Sequence, residues 1–199
     1  MSQLNFIYGT MWAWKSLELI REASNLKNKN IDVLIFNSSL DNRFWNGKVA
    51  SRLKIEKSAI SYDEDFNFYH YLKSYKDSLY PGTLGIHTIF IDEAQFLSKK
   101  QVEQLSLIVY DFDINVCCYG LKTNYKWELF EGSKRLLEIA DNIREVTSYC
   151  WCGRKANMNA RLTDLAFPRE QNDAEILIGA NDLYTNVCYQ HFVLWEHNI

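Results

Sequence analysis

Much of what would take a chain out of solution or onto a polyanion is missing here. No apolar run in the 199 residues approaches the roughly 20 that a membrane span needs. The opening MSQLNFIYG has no basic stretch followed by an apolar one, so the expectation is a cytoplasmic protein with no membrane partner. Lys and Arg number 22 against 25 Asp and Glu, dispersed to a net charge of −3. That balance offers no basic stripe for nucleic acid, and no nucleic-acid partner is expected. Prolines are only two, Pro81 and Pro168, and there is no low-complexity tract or repeat that would mark a linker or solenoid. Cysteines number five, an odd count that argues against a disulfide framework.

What is present alternates. Short apolar runs rich in β-branched and aromatic residues, LNFIY, DVLIFN, HTIFID, NVCCYG and REVTSY, read as strands. Between them SLELIREASNLKNK, DFNFYHYLKSYKDSL, SKKQVEQLSLIVYDF and SKRLLEIADN space their apolar residues as helices do. The order is that of βαβ units on a mostly parallel sheet flanked by helices, an α/β fold. Ser98 and Ser133 are candidate N-caps. Leu40 to Tyr62 reads as a long polar loop, and loops of that length usually carry function. After Tyr149 the composition turns to clustered Cys, Gly, Asn and Arg. Two units follow: residues 1–147 as a nucleotide-binding domain and 148–199 as a smaller metal-binding one.

The first strand runs into Gly9, Thr10, Met11, Trp12, Ala13, Trp14, Lys15 and Ser16. This is the frame of the phosphate loop G-x-x-x-x-G-K-[ST], with Trp14 where the second glycine belongs. In such a loop backbone N–H groups and the next helix's N-terminus surround phosphate, the lysine neutralises it and the serine holds Mg²⁺. Its partner motif is the buried strand IFID, which ends in Asp92, Glu93, Ala94 and Gln95. That puts two carboxylates at the C-terminal sheet edge, where open α/β sheets bind ligands. Asp92 is the candidate metal-holding acid and Glu93 the candidate acceptor of a hydroxyl proton.

Cys150-x-Cys152 is followed by Cys188-x-x-His191, three thiolates and one imidazole in two close pairs. This is a full tetrahedral set for Zn²⁺ with no position left for water, hence a structural site. Cys117 and Cys118 lie in an apolar run and read as small hydrophobes. His70, His87 and His197 have no such partners and read as surface or helix residues.

The phosphate loop near the N-terminus, the D-E-x-Q-F strand and the zinc set together resemble the zinc-containing type II thymidine kinases. DNRF from Asp41, GKVASR from Gly47, YGLKT from Tyr119, CGRKA from Cys152 and IGANDLY from Ile178 look most like the enterobacterial-type branch. The resemblance implies transfer of the γ-phosphate of ATP to the 5′-hydroxyl of thymidine with Mg²⁺, and Glu93 as general base. It implies Asp92, Lys15 and Ser16 at metal and ATP phosphates, and Asp41 and Arg43 beside the transferred phosphate. A lasso from Arg161 to Tyr184 is implied to enclose thymine, with Ile178, Gly179 and Tyr184 near base and sugar. A homotetramer inhibited by thymidine triphosphate is implied as well. Trp14 departs from the pattern at a glycine, Trp12 where the family has other residues, and Trp45 and Trp127 where close relatives have glycine. Tryptophan lacks glycine's tolerance of positive φ and of close ligand approach. Two readings therefore stand: a kinase of reduced activity, and a non-catalytic relative that binds nucleoside or a partner. A helicase-type ATPase is set aside because the chain has no room for a second motor domain.

Overall fold

The apolar runs become the centre of one parallel sheet. In the computed structural model, which describes residues 1–41, 47–78, 85–161 and 184–196, the chain begins with β1 (Leu4–Tyr8), α1 (Lys15–Lys27) and β2 (Val33–Ser38). There follow β3 (Lys48–Ala50), β4 (Glu56–Ser58), β5 (Ile60–Tyr62), α2 (Phe68–Asp77) and β6 (Thr88–Ile91). A single 3₁₀ turn (Ala94–Phe96) leads to α3 (Lys99–Phe112), β7 (Asn115–Gly120), α4 (Glu131–Ile139) and β8 (Asn142–Glu145). The C-terminal part holds β9 (Ser148–Tyr149), β10 (Lys155–Ala156), β11 (Met158–Arg161), β12 (Tyr184–Val187) and α5 (Tyr189–Glu196).

The sheet order is β5-β2-β6-β7-β1-β8, and every pairing in it is parallel. Successive strand residues point to opposite faces, and the core divides accordingly. Phe6, Phe36, Ile89, Ile91, Val116 and Cys118 meet α2, α3 and α4 through Phe68, Leu72, Val102, Leu105, Ile108 and Leu136. On the other face Ile7, Val33, Ile35, Phe90 and Tyr119 meet Leu19, Ile20 and Ala23 of α1. Each such side chain contributes roughly 1.5–3 kcal/mol of burial free energy. Because β6 is buried along its whole length, it reads as a continuous apolar run rather than an alternating one.

Ser98 caps α3 as expected, in a reciprocal capping box with Gln101. Ser133 does not cap α4. That helix begins two residues earlier, after Phe130, and Ser133 lies inside it, donating its hydroxyl to Leu121 O at 2.6 Å. The cause is close packing on the 3₁₀ turn: a Cβ at Gly132 would stand 2.5 Å from Leu97 O. Small residues there bring helix and turn together, and a serine in a helix looks like a cap from sequence alone.

The stretch from Leu40 to Tyr62 is not one loop. Its described part folds into the antiparallel β3–β4 hairpin and β5, which joins the main sheet beside β2. Three-residue strands are too short to display a period. Val49 of the hairpin is nonetheless fully buried against α1 and its neighbours. REVTSY likewise splits. β8 ends at Glu145, and the chain then leaves the sheet to pair β9 with β10. Among the described residues no helix is long and apolar enough to cross a membrane.

Candidate functional site

Gly9 follows β1 directly, and the loop to Ser16 turns the chain into α1. A Cβ on Gly9 would lie 2.7 Å from Val146 O and 2.9 Å from Ala13 Cβ, so close approach demands glycine there. Trp12 has φ 68° and Trp14 has φ 62°, both left-handed. The loop keeps the course that glycine would take freely, with an indole at each turn. Such backbone costs a side-chain-bearing residue roughly 1–2 kcal/mol. Both indoles are half-exposed, 42% for Trp12 and 47% for Trp14. Trp12 is held on two sides: its ring lies 3.1 Å from the Arg52 guanidinium, and its Nε1–H donates to Tyr184 O at 3.3 Å.

Lys15 folds over the loop, its Nζ donating to Thr10 O at 2.9 Å and Gly9 O at 3.4 Å. A cleft of about 80 Å³ lies at the C-terminal sheet edge, where Lys15, Ser16 and Glu93 share a wall with Trp12, Trp14 and Arg52. The phosphate loop and the acidic strand end, separate in sequence, thus border one space.

Asp92 and Glu93 follow β6. Asp92 is buried, and its Oδ1 accepts from Glu93 N–H at 3.1 Å. Glu93 has φ 52°, a left-handed turn directly after the strand end. Gln95 steadies it, donating from Nε2 to Glu93 Oε2 at 2.5 Å while its Oε1 accepts from Leu121 N–H at 2.9 Å. Room for Gln95 comes from Gly120, where a Cβ would stand 2.9 Å from Gln95 Oε1. The buried Tyr62 holds the backbone at the strand end, its phenol donating to Glu93 O at 3.2 Å and Asp92 O at 3.4 Å. Burial, then the neighbouring Cys118 thiol and the Glu93 and Asp92 carboxylates, push its pKa well up, so the phenol stays a donor.

Asp41 lies beyond the end of β2, buried, with its Oδ2 accepting from Asn37 Nδ2 at 3.5 Å. Arg161 and Tyr184 are brought together as paired ends of β11 and β12. Tyr125 lies beside both, its ring 6.3 Å from that of Tyr184 and 5.4 Å from the Arg161 guanidinium. Arg43, Trp45, Ile178, Gly179 and His197, with most of the expected lasso, lie outside the described residues. Arg52 and Tyr62 were not legible as site residues. Arg52 closes the GKVASR stretch, which supports the resemblance but carries no role in it, and Tyr62 is known only by the carbonyls it reaches.

Cys150, Cys152, Cys188 and His191 converge, with their ligand atoms all within 4.8 Å of one another. Cys150 Sγ is 3.1 Å from His191 Nδ1, and Cys152 Sγ is 3.8 Å from Cys188 Sγ. Sulfurs on a tetrahedral Zn²⁺ with Zn–S bonds of ~2.3 Å stand roughly 3.8 Å apart, so the cluster is compatible with zinc. Burial pushes the Cys150 thiol up, but hydrogen bonds from Cys152 N–H, His191 and Cys188 N–H outweigh it and bring it down to about 6. Phe192 and Val187 pack under the cluster, and Trp151 stacks on His191 with ring centres 4.7 Å apart. With four protein ligands the ion would hold β9–β10 to α5 rather than bind substrate.

The family model for thymidine kinase matches residues 2–192. The chain belongs to the thymidine kinase family. Its similarity to curated thymidine kinases runs nearly end to end. It is 41% identical over 196 residues to that of Haemophilus influenzae, covering 96% of each chain. It is 42% identical over 192 residues to that of Vibrio cholerae, with 96% of this chain and 97% of that one covered. The thymidine kinase of Pasteurella multocida is 40% identical over 192 residues. The family assignment agrees with the sheet, the acidic strand end and the cysteine–histidine cluster described above.

Proposed function

We propose that this chain is an ATP-dependent thymidine kinase. The observation that carries the reading is the one cleft bordered both by Lys15 and Ser16 of the phosphate loop and by Glu93. In this reading the loop from Gly9 to Ser16 holds the ATP phosphates, with Lys15 neutralising them. Ser16 and Asp92 would hold Mg²⁺, which would offset the charge of the phosphates. Glu93 takes the proton of the thymidine 5′-hydroxyl as its oxygen bonds to the γ-phosphorus. The bond from that phosphorus to the bridging oxygen breaks, and ADP leaves. Catalysis of this kind rests on positioning and charge stabilisation, which suits a carboxylate held by Gln95 and a backbone fixed by Tyr62. Asp41 and Arg43 flank the transferred phosphate, and the stretch from Arg161 to Tyr184, with Ile178 and Gly179, encloses the base.

Residues 1–147 form the nucleotide-binding unit, and 148–199 the zinc and base-enclosing unit. The protein is cytoplasmic and assembles as a homotetramer. Trp14 lowers the rate without abolishing it. The left-handed backbone at positions 12 and 14 supports this over the non-catalytic reading, because the loop retains its turn.

The test is Mg²⁺-dependent transfer of phosphate from ATP to thymidine, measured for the chain and for its Trp14→Gly and Glu93→Gln variants. Phosphorylation that rises in the first and collapses in the second is expected. A chain that binds neither Mg·ATP nor thymidine would overturn the proposal.

A further inference from the structure

Besides the bond from Trp12 to Tyr184 O, the smaller unit reaches the phosphate loop by two routes. On the first, the Thr10 and Ser148 hydroxyls share a hydrogen bond of 2.5 Å between residues buried to 6% and 8% exposure. Ser148 is itself oriented by Asn186, whose Nδ2 donates to Ser148 Oγ at 3.0 Å and to Tyr149 O at 3.2 Å. Ser148 lies two residues before Cys150 and Asn186 two before Cys188, so the strands that deliver two of the cluster's thiols also deliver this contact. On the second route, Asn159 of β11 accepts from Met11 N–H at 2.8 Å and donates to Thr123 O at 3.2 Å. Its carboxamide bridges the phosphate loop to the connection after β7.

We propose that Ser148 and Asn159 are positioning residues for the phosphate loop, and that the metal-binding unit sets the loop's course through them. The inference rests on the reading of Gly9 to Ser16 as the ATP-phosphate site. The physical case is one of constraint. Trp12 and Trp14 have left-handed backbones that their side chains disfavour, and strained backbone persists only where its surroundings over-determine it. Thr10 and Met11 stand immediately before those turns, and each is held from outside the loop. Releasing either lets the loop relax towards conformations ordinary for tryptophan, away from the curve that encloses phosphate. Neither Ser148 nor Asn159 lies among the residues that border the cleft beside Lys15 and Glu93, so both act through the loop.

The experiment compares the zinc-loaded parent with Thr10→Val, Ser148→Ala, the double variant and Asn159→Ala. Mg·ATP affinity is read by calorimetry, and amide hydrogen exchange over residues 9–16 is read alongside. Each single variant is expected to weaken ATP about five- to tenfold, the scale of a buried hydrogen bond whose partner is left unpaired. Exchange should accelerate in residues 9–16 while α3 and the central strands keep parental protection. The Thr10→Val, Ser148→Ala pair should bind ATP no worse than its weaker single member, because both ends of one contact are gone. ATP affinity and loop exchange within twofold of the parent in all variants would overturn the inference. So would additive losses in the pair, or exchange that rises uniformly over the protein. A parent that fails to bind ATP at all sinks the phosphate-site reading instead, and the exchange data then decide separately whether the two routes hold the loop.

Discussion

The guanidinium of Arg52 stacks 3.1 Å over the indole of Trp12, while the same indole donates to Tyr184 O. One side chain of the phosphate loop therefore joins the β3–β4 hairpin to the start of β12. A contact of this type contributes about 0.5–2 kcal/mol, comparable to the roughly 1–2 kcal/mol that the left-handed backbone costs. Trp12→Gly should change overall stability by less than about 1 kcal/mol, since the two effects offset. The hairpin should nonetheless loosen. Hydrogen exchange at Lys48–Ala50 and Glu56–Ser58 is the measurement, and unchanged protection there counts against a tethering role for the indole.

Trp14 behaves differently because its indole is half-exposed and its side chain makes no capping hydrogen bond to α1. Trp14→Gly relieves the φ strain and loses little. A gain of about 1 kcal/mol is expected after allowing for glycine's greater freedom when unfolded. For a chain of this size that is about 2–4 °C in melting temperature. kcat/KM for ATP should rise with it. A variant that melts at or below the parent's temperature contradicts the strain argument.

Trp127 shares the left-handed backbone, at φ 70°, yet the opposite sign is expected. Its ring packs 4.6 Å from Phe192 and 5.3 Å from Tyr189 of α5, filling the space between the body and the metal cluster. Emptying an aromatic site in a core costs about 3–5 kcal/mol, more than the relief. Urea denaturation of Trp127→Gly should show a net loss of about 2 kcal/mol. Equal or greater stability would mean the stack is dispensable.

Glu93→Gln keeps the shape of the side chain while removing its capacity to take a proton. A drop of roughly 10²–10⁴ in kcat is expected, with Mg·ATP affinity close to parental. Single-turnover phosphorylation beside calorimetry separates the two quantities. A kcat within tenfold of the parent would mean that another group accepts the proton.

Chelation should expose three thiols, those of Cys150, Cys152 and Cys188, and no others while the sheet stays folded. Burial, with Glu22 adding, pushes the Cys117 thiol up to about 12, and burial pushes Cys118 well up. Both stay protonated and unreactive at neutral pH. Mass-spectrometric counting of alkylated cysteines before and after chelator treatment checks this. Labelling of Cys117 or Cys118 in the folded apo-protein would contradict it.

The features legible in the sequence are those with a local cause. β1, β2, β6 and β7 follow from apolar runs, α3 from a periodic face with a capping serine, and the metal cluster from paired ligands at short spacing. What escaped depends on partners distant in sequence. The β3–β4 hairpin is stabilised by Val49 against α1, not by its own pattern. α5 carries apolar residues on every side, YQHFVLWE, so it has no polar face to reveal its period. The motif frame marks position 14 as a glycine position, and the structure adds the left-handed backbone there and at position 12. That it survives under two tryptophans depends on Thr10, Met11 and Trp12, each held by a residue more than 130 positions away.

Those long-range attachments bear on how the protein can be divided. The change of composition near residue 147 invites a cut there, as if the kinase core were a module to be transplanted, fused or shortened at will. Ser148, Asn159 and Tyr184 all lie on the far side of such a cut, and all three hold the loop. A fragment ending at the seam would keep its motif intact on paper and lose the lacing that gives the motif its shape.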